Sequence, residues 1–382
     1  MEKLYADETE WAGKNNIEKN YMEKNSPQKV YTEKKYAEIY GNGICPDEPC
    51  TDEIRSDEIC LDVIRSMERI DRKMVIGVSS RALFDLTAEN EIFEKQGLEA
   101  YCRYQVEHEQ EILKPGPGFR LIESLLRLNR YSSEGNLVEV IIMSRNSPDT
   151  SLRVFNAIEH YGLDITRSVL VSGASLAPYL AAFHTDLFLS AYEDDVQCAI
   201  DSGIAAGIIC TEHKAQVIPL SALSDGTVRT AEEEEYQIRI AFDGDAVLFA
   251  GESEMIFREK GLSAFEENER VHAKEPLAEG PFARFLKKLS DLQRELGTEH
   301  CPIRTALVTS RSAPAHERVI RTMRAWNVRV DEAFFLGGLA KRDVLKAFGA
   351  QIYFDDQAVH TSYAAQCVPS ARVPYVSMKC AN

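Results

Sequence analysis

The chain of 382 residues contains no apolar run of about 18 residues free of charge or strong breakers, the length that a membrane-crossing helix requires. Its opening residues, Met1-Glu2-Lys3-Leu4-Tyr5-Ala6-Asp7-Glu8, lack the apolar core of a signal peptide. Both absences lead to the expectation of a cytoplasmic protein with no membrane partner. Basic residues are outnumbered, 44 Lys and Arg against 61 Asp and Glu, for a net charge of -17. This argues against a nucleic-acid polymer as partner, because phosphate backbones are held by an excess of basic groups. Any small anionic ligand must then be drawn by a local basic pocket. The nine cysteines are odd in number and scattered, as expected of reduced thiols and not of a disulfide framework. Cys45, Cys50 and Cys60 cluster, but their spacing fits no common zinc pattern and no histidine follows nearby.

Aliphatic residues are scarce before Ile54. Residues 1–72 are rich in Glu, Lys, Asn and Tyr, and the pairs Asp47-Glu48, Asp52-Glu53 and Asp57-Glu58 recur at a spacing that holds no single face of a helix. This segment reads as a polar, mobile N-terminal extension, with a short helix expected over 54–72. From Met74 onward apolar strand patterns alternate with amphipathic helical ones, which predicts an α/β fold with a parallel sheet and crossover helices.

The chain also repeats itself. Laying residues 76–128 over 240–292 without a gap pairs Ile76 with Ile240, Ala82 with Ala246 and Ile92-Phe93 with Ile256-Phe257. The same register pairs Gly97-Leu98 with Gly261-Leu262, His108 with His272, and Gly116-Pro117 with Gly280-Pro281. After one residue of slippage, Met143-Ser144 meets Val308-Thr309. So many chemically unlike matches in one register imply an internal duplication. Two tandem parallel-sheet domains of Rossmann type are therefore expected, at 73–225 and 226–382. Residues 250–303 are too long for a simple connection and are read as a small helical cap. The shared His108 and His272 point to a structural role, such as packing or a helix-end hydrogen bond.

Chemistry concentrates in the second copy. Its first strand, Ile238-Arg239-Ile240-Ala241-Phe242, runs into Asp243-Gly244-Asp245, delivering two carboxylates to the end of a strand, where ligands of open α/β sheets bind. Thr309 closes a second apolar run, Lys341 follows Gly337-Gly338, and Asp355-Asp356 closes a third. In the first copy Ser79 and Arg81 stand where the two aspartates stand, Ser190-Ala191 replaces the acidic pair, and no lysine answers Lys341; only Ser144 survives, opposite Thr309. The first copy thus cannot carry the same chemistry. Ser79, Ser80, Arg81, Ser144, Arg145 and Asn146 nevertheless form a polar, partly basic set suited to an anion, whether substrate or effector.

The order Asp-x-Asp, Thr, Lys, acidic pair resembles the haloacid dehalogenase superfamily of phosphohydrolases. More narrowly, the stretches Val78 to Phe84, Phe242 to Phe249, Cys301-Pro302-Ile303-Arg304-Thr305, Arg311-Ser312-Ala313 and Phe354-Asp355-Asp356-Gln357 resemble the cytosolic 5'-nucleotidase type I family over about residues 73–376. The resemblance implies haloacid dehalogenase-like domains, the second catalytic, and a Mg²⁺-dependent hydrolysis of nucleoside 5'-monophosphates, AMP or pyrimidine monophosphates favoured. In that scheme Asp243 is the nucleophile and Asp245 the acid and base. Thr309, Lys341 and Arg311 hold the phosphate, with Lys346 the rival lysine. The metal falls to Asp243, the Asp245 main-chain carbonyl and the acidic pair, Asp356 preferred over Asp355. A phosphatase of another small metabolite and a nucleotide-sensing protein without turnover are the alternative readings. A nucleotide effector is a family expectation, and self-association stays open.

Overall fold

The computed structural model describes residues 73–132, 137–211, 237–297 and 301–377; the N-terminal extension and its cysteine cluster lie outside the described residues. Residues 68–382 form one compact unit. In chain order the strands are β1 Met74–Val78, β2 Phe84–Asp85, β3 Lys114–Pro115, β4 Val138–Ser144, β5 Arg167–Leu170 and β6 Leu187–Ser190. They continue with β7 Ala205–Ile209, β8 Ile238–Phe242, β9 Ile303–Thr309, β10 Glu332–Phe335, β11 Ile352–Asp355 and β12 Ser370–Arg372. β2 and β3 make a small antiparallel ribbon; the other strands form one sheet of ten, in the order β10-β9-β8-β11-β12-β7-β6-β1-β4-β5.

Every neighbouring pair in that sheet is parallel except β12 with β7. Outward from this antiparallel seam the two sides read alike: β12-β11-β8-β9-β10 on one and β7-β6-β1-β4-β5 on the other. The inner strands are largely apolar, as expected where helices cover both faces of a parallel sheet, and all five residues of β1 are buried, whereas the edge strands β5 and β10 carry Arg167 and Glu332. At the seam the backbones come close. A Cβ on Gly207 of β7 would lie 2.8 Å from the Ala371 Cβ of β12, so no larger residue fits there without a shift.

Corresponding details recur on the two sides. The helices Thr87–Gln96 and Leu98–Glu107 break at Gly97 (φ 83°, ψ -178°), and the helix Glu252–Val271 breaks at Gly261 (φ 82°, ψ -179°), a conformation that disfavours any residue with a Cβ. His108 and His272 each end a helix, their Nδ1 atoms 2.8 Å from the Tyr104 carbonyl and 2.9 Å from that of Asn268. Arg153 donates to the Glu111 carbonyl at 2.8 Å and Arg318 to that of Glu275 at 3.0 Å.

The stretch predicted as a cap divides in two. Helix Ala283–Glu295 packs on the sheet, where Phe282 and Phe285 meet Phe242 and Phe282 meets Phe354, with Leu286 and Leu289 fully buried. Helix Glu252–Val271 buries only Ser253, Phe265 and Glu269. The amphipathic pattern of Phe282 to Leu296 serves the core, whereas the earlier helix has few buried anchors and leaves Met255, Phe257, Leu262 and Val271 exposed. No described helix is long and apolar enough to cross a membrane.

Candidate active site

Three neighbouring strands, β9-β8-β11, bring the site together. Phe242 of β8 is in register with Phe354 of β11, and the Asp243 amide donates to the Phe354 carbonyl at 2.8 Å. Asp243 and Asp355 therefore leave the sheet at the same level on adjacent strands. Below them the Phe242 and Phe354 rings stack at 5.7 Å, which fixes the floor. On the other side of β8, Thr309 closes β9 beside the turn at Gly244, where an added Cβ would come within 3.2 Å of Thr309 Oγ1 and 3.3 Å of the Phe249 ring. That turn closes through the Leu248 and Phe249 amides on the Gly244 carbonyl at 3.0 and 2.9 Å. It holds Ala246 at φ 60°, an uncommon left-handed conformation for a residue with a side chain.

Lys341 is buried between two carboxylates, its Nζ 2.9 Å from Asp243 Oδ1 and 2.7 Å from Asp355 Oδ2. Lys346, the rival lysine, is exposed on the helix Arg342–Phe348. Asp355 is fully engaged: Oδ2 also takes the Tyr353 hydroxyl and faces His360 Nδ1 at 3.2 Å, while Oδ1 accepts the Gln357 amide at 2.8 Å. Asp356 is not. Its Oδ2 accepts the Tyr375 hydroxyl, but its Oδ1 is sealed from solvent with no hydrogen-bond partner among the described residues.

Carboxylate oxygens of Asp243, Asp355 and Asp356, all buried, lie within 4.8 Å of one another. Burial pushes the Asp243 carboxyl up to about 8 even against the pull of Lys341, and burial likewise lifts Asp356 to about 6. Burial opposes ionisation of Asp355 too, but His360, Lys341 and Tyr353 outweigh it and hold that carboxyl well below its usual range. Lys341 in turn stays charged because the two carboxylates overcome its desolvation. One ammonium among three buried carboxyls leaves the cluster short of positive charge. The orphaned Asp356 oxygen and the all-oxygen donor set fit a hard divalent cation such as Mg²⁺.

Asp245 is held differently. Arg311, expected to reach a phosphate, clamps Asp245 here with Nε to Oδ2 at 2.8 Å and Nη2 to Oδ1 at 2.7 Å, and turns Nη1 onto Glu269. Glu269 is wholly buried, and it also accepts Ser253 at 2.8 Å and Arg318 at 3.0 Å. A buried arginine with two carboxylate partners is geometrically suited to positioning Asp245. Thr309 Oγ1 accepts the Arg311 amide at 3.2 Å.

The structure separates the remaining sequence candidates from this cluster. Ser79 Oγ caps the helix Ser80–Leu83 through the Ala82 amide, and Ser144 Oγ bonds Ser80 Oγ at 3.1 Å and the Asn146 amide at 3.2 Å, all at the strand ends of the β1-β4 side. Arg81 and Asn146 line a cavity there. Sequence reasoning missed Tyr353, Tyr375, His360 and Glu269. Glu269 had a signal, since the repeat register pairs it with Gln105, and both are buried polar residues. The tyrosines had none, because neither follows a motif.

A model described as 5'-nucleotidase matches residues 66–379. Human cytosolic 5'-nucleotidase 1B is 38% identical over 297 residues, an alignment covering 75% of this chain and 46% of that protein, so the chain spans about half the length of this relative. No solved structure matches. A match over that span, which takes in every strand of the ten-stranded sheet and the segment carrying Tyr375, means that the chain belongs to the 5'-nucleotidase family.

Proposed function

We propose that the protein is a cytoplasmic hydrolase of nucleoside 5'-monophosphates, AMP or pyrimidine monophosphates favoured, releasing nucleoside and inorganic phosphate with Mg²⁺ at the carboxylate cluster. The single observation that carries this reading is the convergence of Asp243, Lys341, Asp355 and Asp356, buried together at the ends of adjacent strands, in a chain of this family.

Phosphate monoesters resist attack because their negative charge repels a nucleophile, so the site must neutralise and position before it reacts. Asp243 and Asp356, with the Asp245 main-chain carbonyl, would hold the cation, which when bound supplies charge neutralisation and keeps Asp243 ionised. In the first step Asp243 Oδ attacks phosphorus, forming an oxygen–phosphorus bond as the ester bond breaks; Asp245 gives its proton to the departing 5'-oxygen. In the second, Asp245 takes a proton from water, which attacks phosphorus, frees phosphate and restores the Asp243 carboxylate. Lys341 balances the Asp243 charge and, with Thr309, meets the phosphoryl oxygens. Arg311 keeps Asp245 directed at the leaving oxygen. The site would open on the C-terminal ends of β8 and β9, with helix Glu252–Val271 as the cap.

Residues 73–225 and 226–382 are, in this reading, two copies of one haloacid dehalogenase-like domain, and the first has lost catalysis. The mirrored strand order, the paired breaks at Gly97 and Gly261 and the paired roles of His108 and His272 support it.

Phosphate release from a panel of nucleoside monophosphates and sugar phosphates, with Mg²⁺ and beside Asp243→Asn, tests the proposal. Release from a nucleotide that vanishes in the variant is the expected result. Release from sugar phosphates alone would overturn the substrate; release that survives Asp243→Asn would overturn the mechanism.

A further inference from the structure

At the strand ends of the β1-β4 side lies a cavity of about 370 Å³, far in sequence from Asp243 and containing none of the residues assigned to hydrolysis. Its size falls at the lower end of the roughly 300–1,000 Å³ typical of small-molecule sites. Three aromatic rings line it. Phe93 and Tyr101 meet edge to face at 6.0 Å, and Tyr192 carries the Arg81 guanidinium over its face at 5.6 Å.

The charge in this cavity is unbalanced in one direction. Of its basic groups, Arg145 is spent on a bidentate pair with the buried Asp195, at 2.8 to 3.0 Å. Its acid Glu89 is spent on the buried Arg153 at 2.6 Å. Of the cavity's two arginines, Arg81 is the one that faces no carboxylate of a described residue at ion-pair distance. Asn146 sits next to Tyr101, and its Nδ2 is sealed from solvent without a partner of hydrogen-bond geometry. An unneutralised guanidinium and an unsatisfied amide donor both call for an acceptor that the protein does not supply. The rings call for a flat apolar body.

We propose that this cavity is a second, non-hydrolytic ligand site that takes a planar aromatic ring carrying an anionic group, the chemistry of a nucleoside monophosphate. The anion would sit on Arg81, which Tyr192 backs, and on the Asn146 amide, and the ring against Tyr101 and Phe93. With Arg81 and Ser79 in place of the two aspartates, the site binds without a nucleophile. The inference rests on the cavity alone and not on the hydrolytic reading.

Photolabelling with 8-azido-AMP, on full-length protein carrying Asp243→Asn so that the probe is not consumed, followed by peptide mapping, tests it. Label is expected on peptides containing Tyr101 or Tyr192, competed by AMP at least tenfold better than by adenosine or inorganic phosphate. Adding Arg81→Ala should lower that label at least tenfold, and Arg81→Lys less. Label confined to the Asp243 half, label unchanged by Arg81→Ala, or adenosine competing as well as AMP would each overturn the proposal. Label on the first half alone would support it while removing support for the hydrolytic site, so the two readings fail separately. Retained thermal unfolding in Arg81→Lys separates loss of binding from loss of fold.

Discussion

Replacing Lys341 with methionine removes one ammonium and keeps most of the side-chain volume. In the folded protein Nζ lies 2.9 Å from Asp243 and 2.7 Å from Asp355, with the side chain 5% exposed. Removing one member of a buried charge pair costs about 3–5 kcal/mol, because the remaining charge is left unsolvated and unpaired. At roughly 2 °C per kcal/mol for a chain of this size, the Lys341→Met protein should unfold about 6–10 °C lower when no divalent cation is present. Adding Mg²⁺ should shrink that deficit, since a cation bound only by the folded state stabilises it. Loss of one preorganised positive group that stabilises developing charge lowers turnover by about 100- to 1,000-fold. Differential scanning calorimetry with and without Mg²⁺, and phosphate release from AMP, measure the two effects. Lys346→Met, at an exposed position, is the control and should change neither. If Lys341→Met unfolded within about 2 °C of the parent and kept turnover within tenfold, the assignment of this lysine and the charge argument for the cluster would both be wrong.

Tyr375→Phe removes the hydroxyl that bonds Asp356 and should raise the Mg²⁺ concentration for half-maximal activity by about 10–100-fold, as outer-shell partners of metal ligands do; an unchanged Mg²⁺ titration would refute that role. Gly244→Ala places a Cβ 3.2 Å from Thr309 Oγ1 and 3.3 Å from the Phe249 ring, so turnover should fall at least tenfold with little change in unfolding temperature, and steady-state kinetics of a folded variant with parental turnover would exclude the close approach. Burial opposes the charge on Glu269, but Arg311, Ser253 and Arg318 hold its folded carboxyl below the ordinary 4.5. Its stabilisation is therefore present above about pH 4.5 and lost as pH falls through the lower folded value. Glu269→Gln should accordingly destabilise the protein near neutrality and flatten the acid side of its stability profile; a profile parallel to the parent's would contradict this.

Much of the fold was legible along the chain because its signals are local. Each apolar strand run from Met74 to Val78, Ile238 to Phe242 and Ile303 to Thr309 appears as a strand, and motif residues fall at strand ends. The repeat register located Gly97 and Gly261 as equivalent before their shared left-handed backbone was seen. The predicted cap of 250–303 was less well resolved, since an amphipathic pattern such as Phe282 to Leu296 does not say whether its apolar face meets a sheet or closes a lid. Arg311 shows a second limit. Its place after Thr309 brought it to the site, but burial beside Glu269 turned its guanidinium onto Asp245.

By itself the sequence determined the family, the alternation of strand and helix, and the chemical types at each strand end, because motif order and periodicity are properties of a linear chain. Tertiary structure alone decided that β12 and β7 meet antiparallel, making one ten-stranded sheet of the two predicted domains. It also decided that Lys341 lies between Asp243 and Asp355, that Tyr353 and Tyr375 hold the acidic pair, and that Arg81 is left without a carboxylate beside three aromatic rings. These depend on which distant side chains share a low-dielectric interior, where pairing and desolvation set the energy, and no local pattern encodes that.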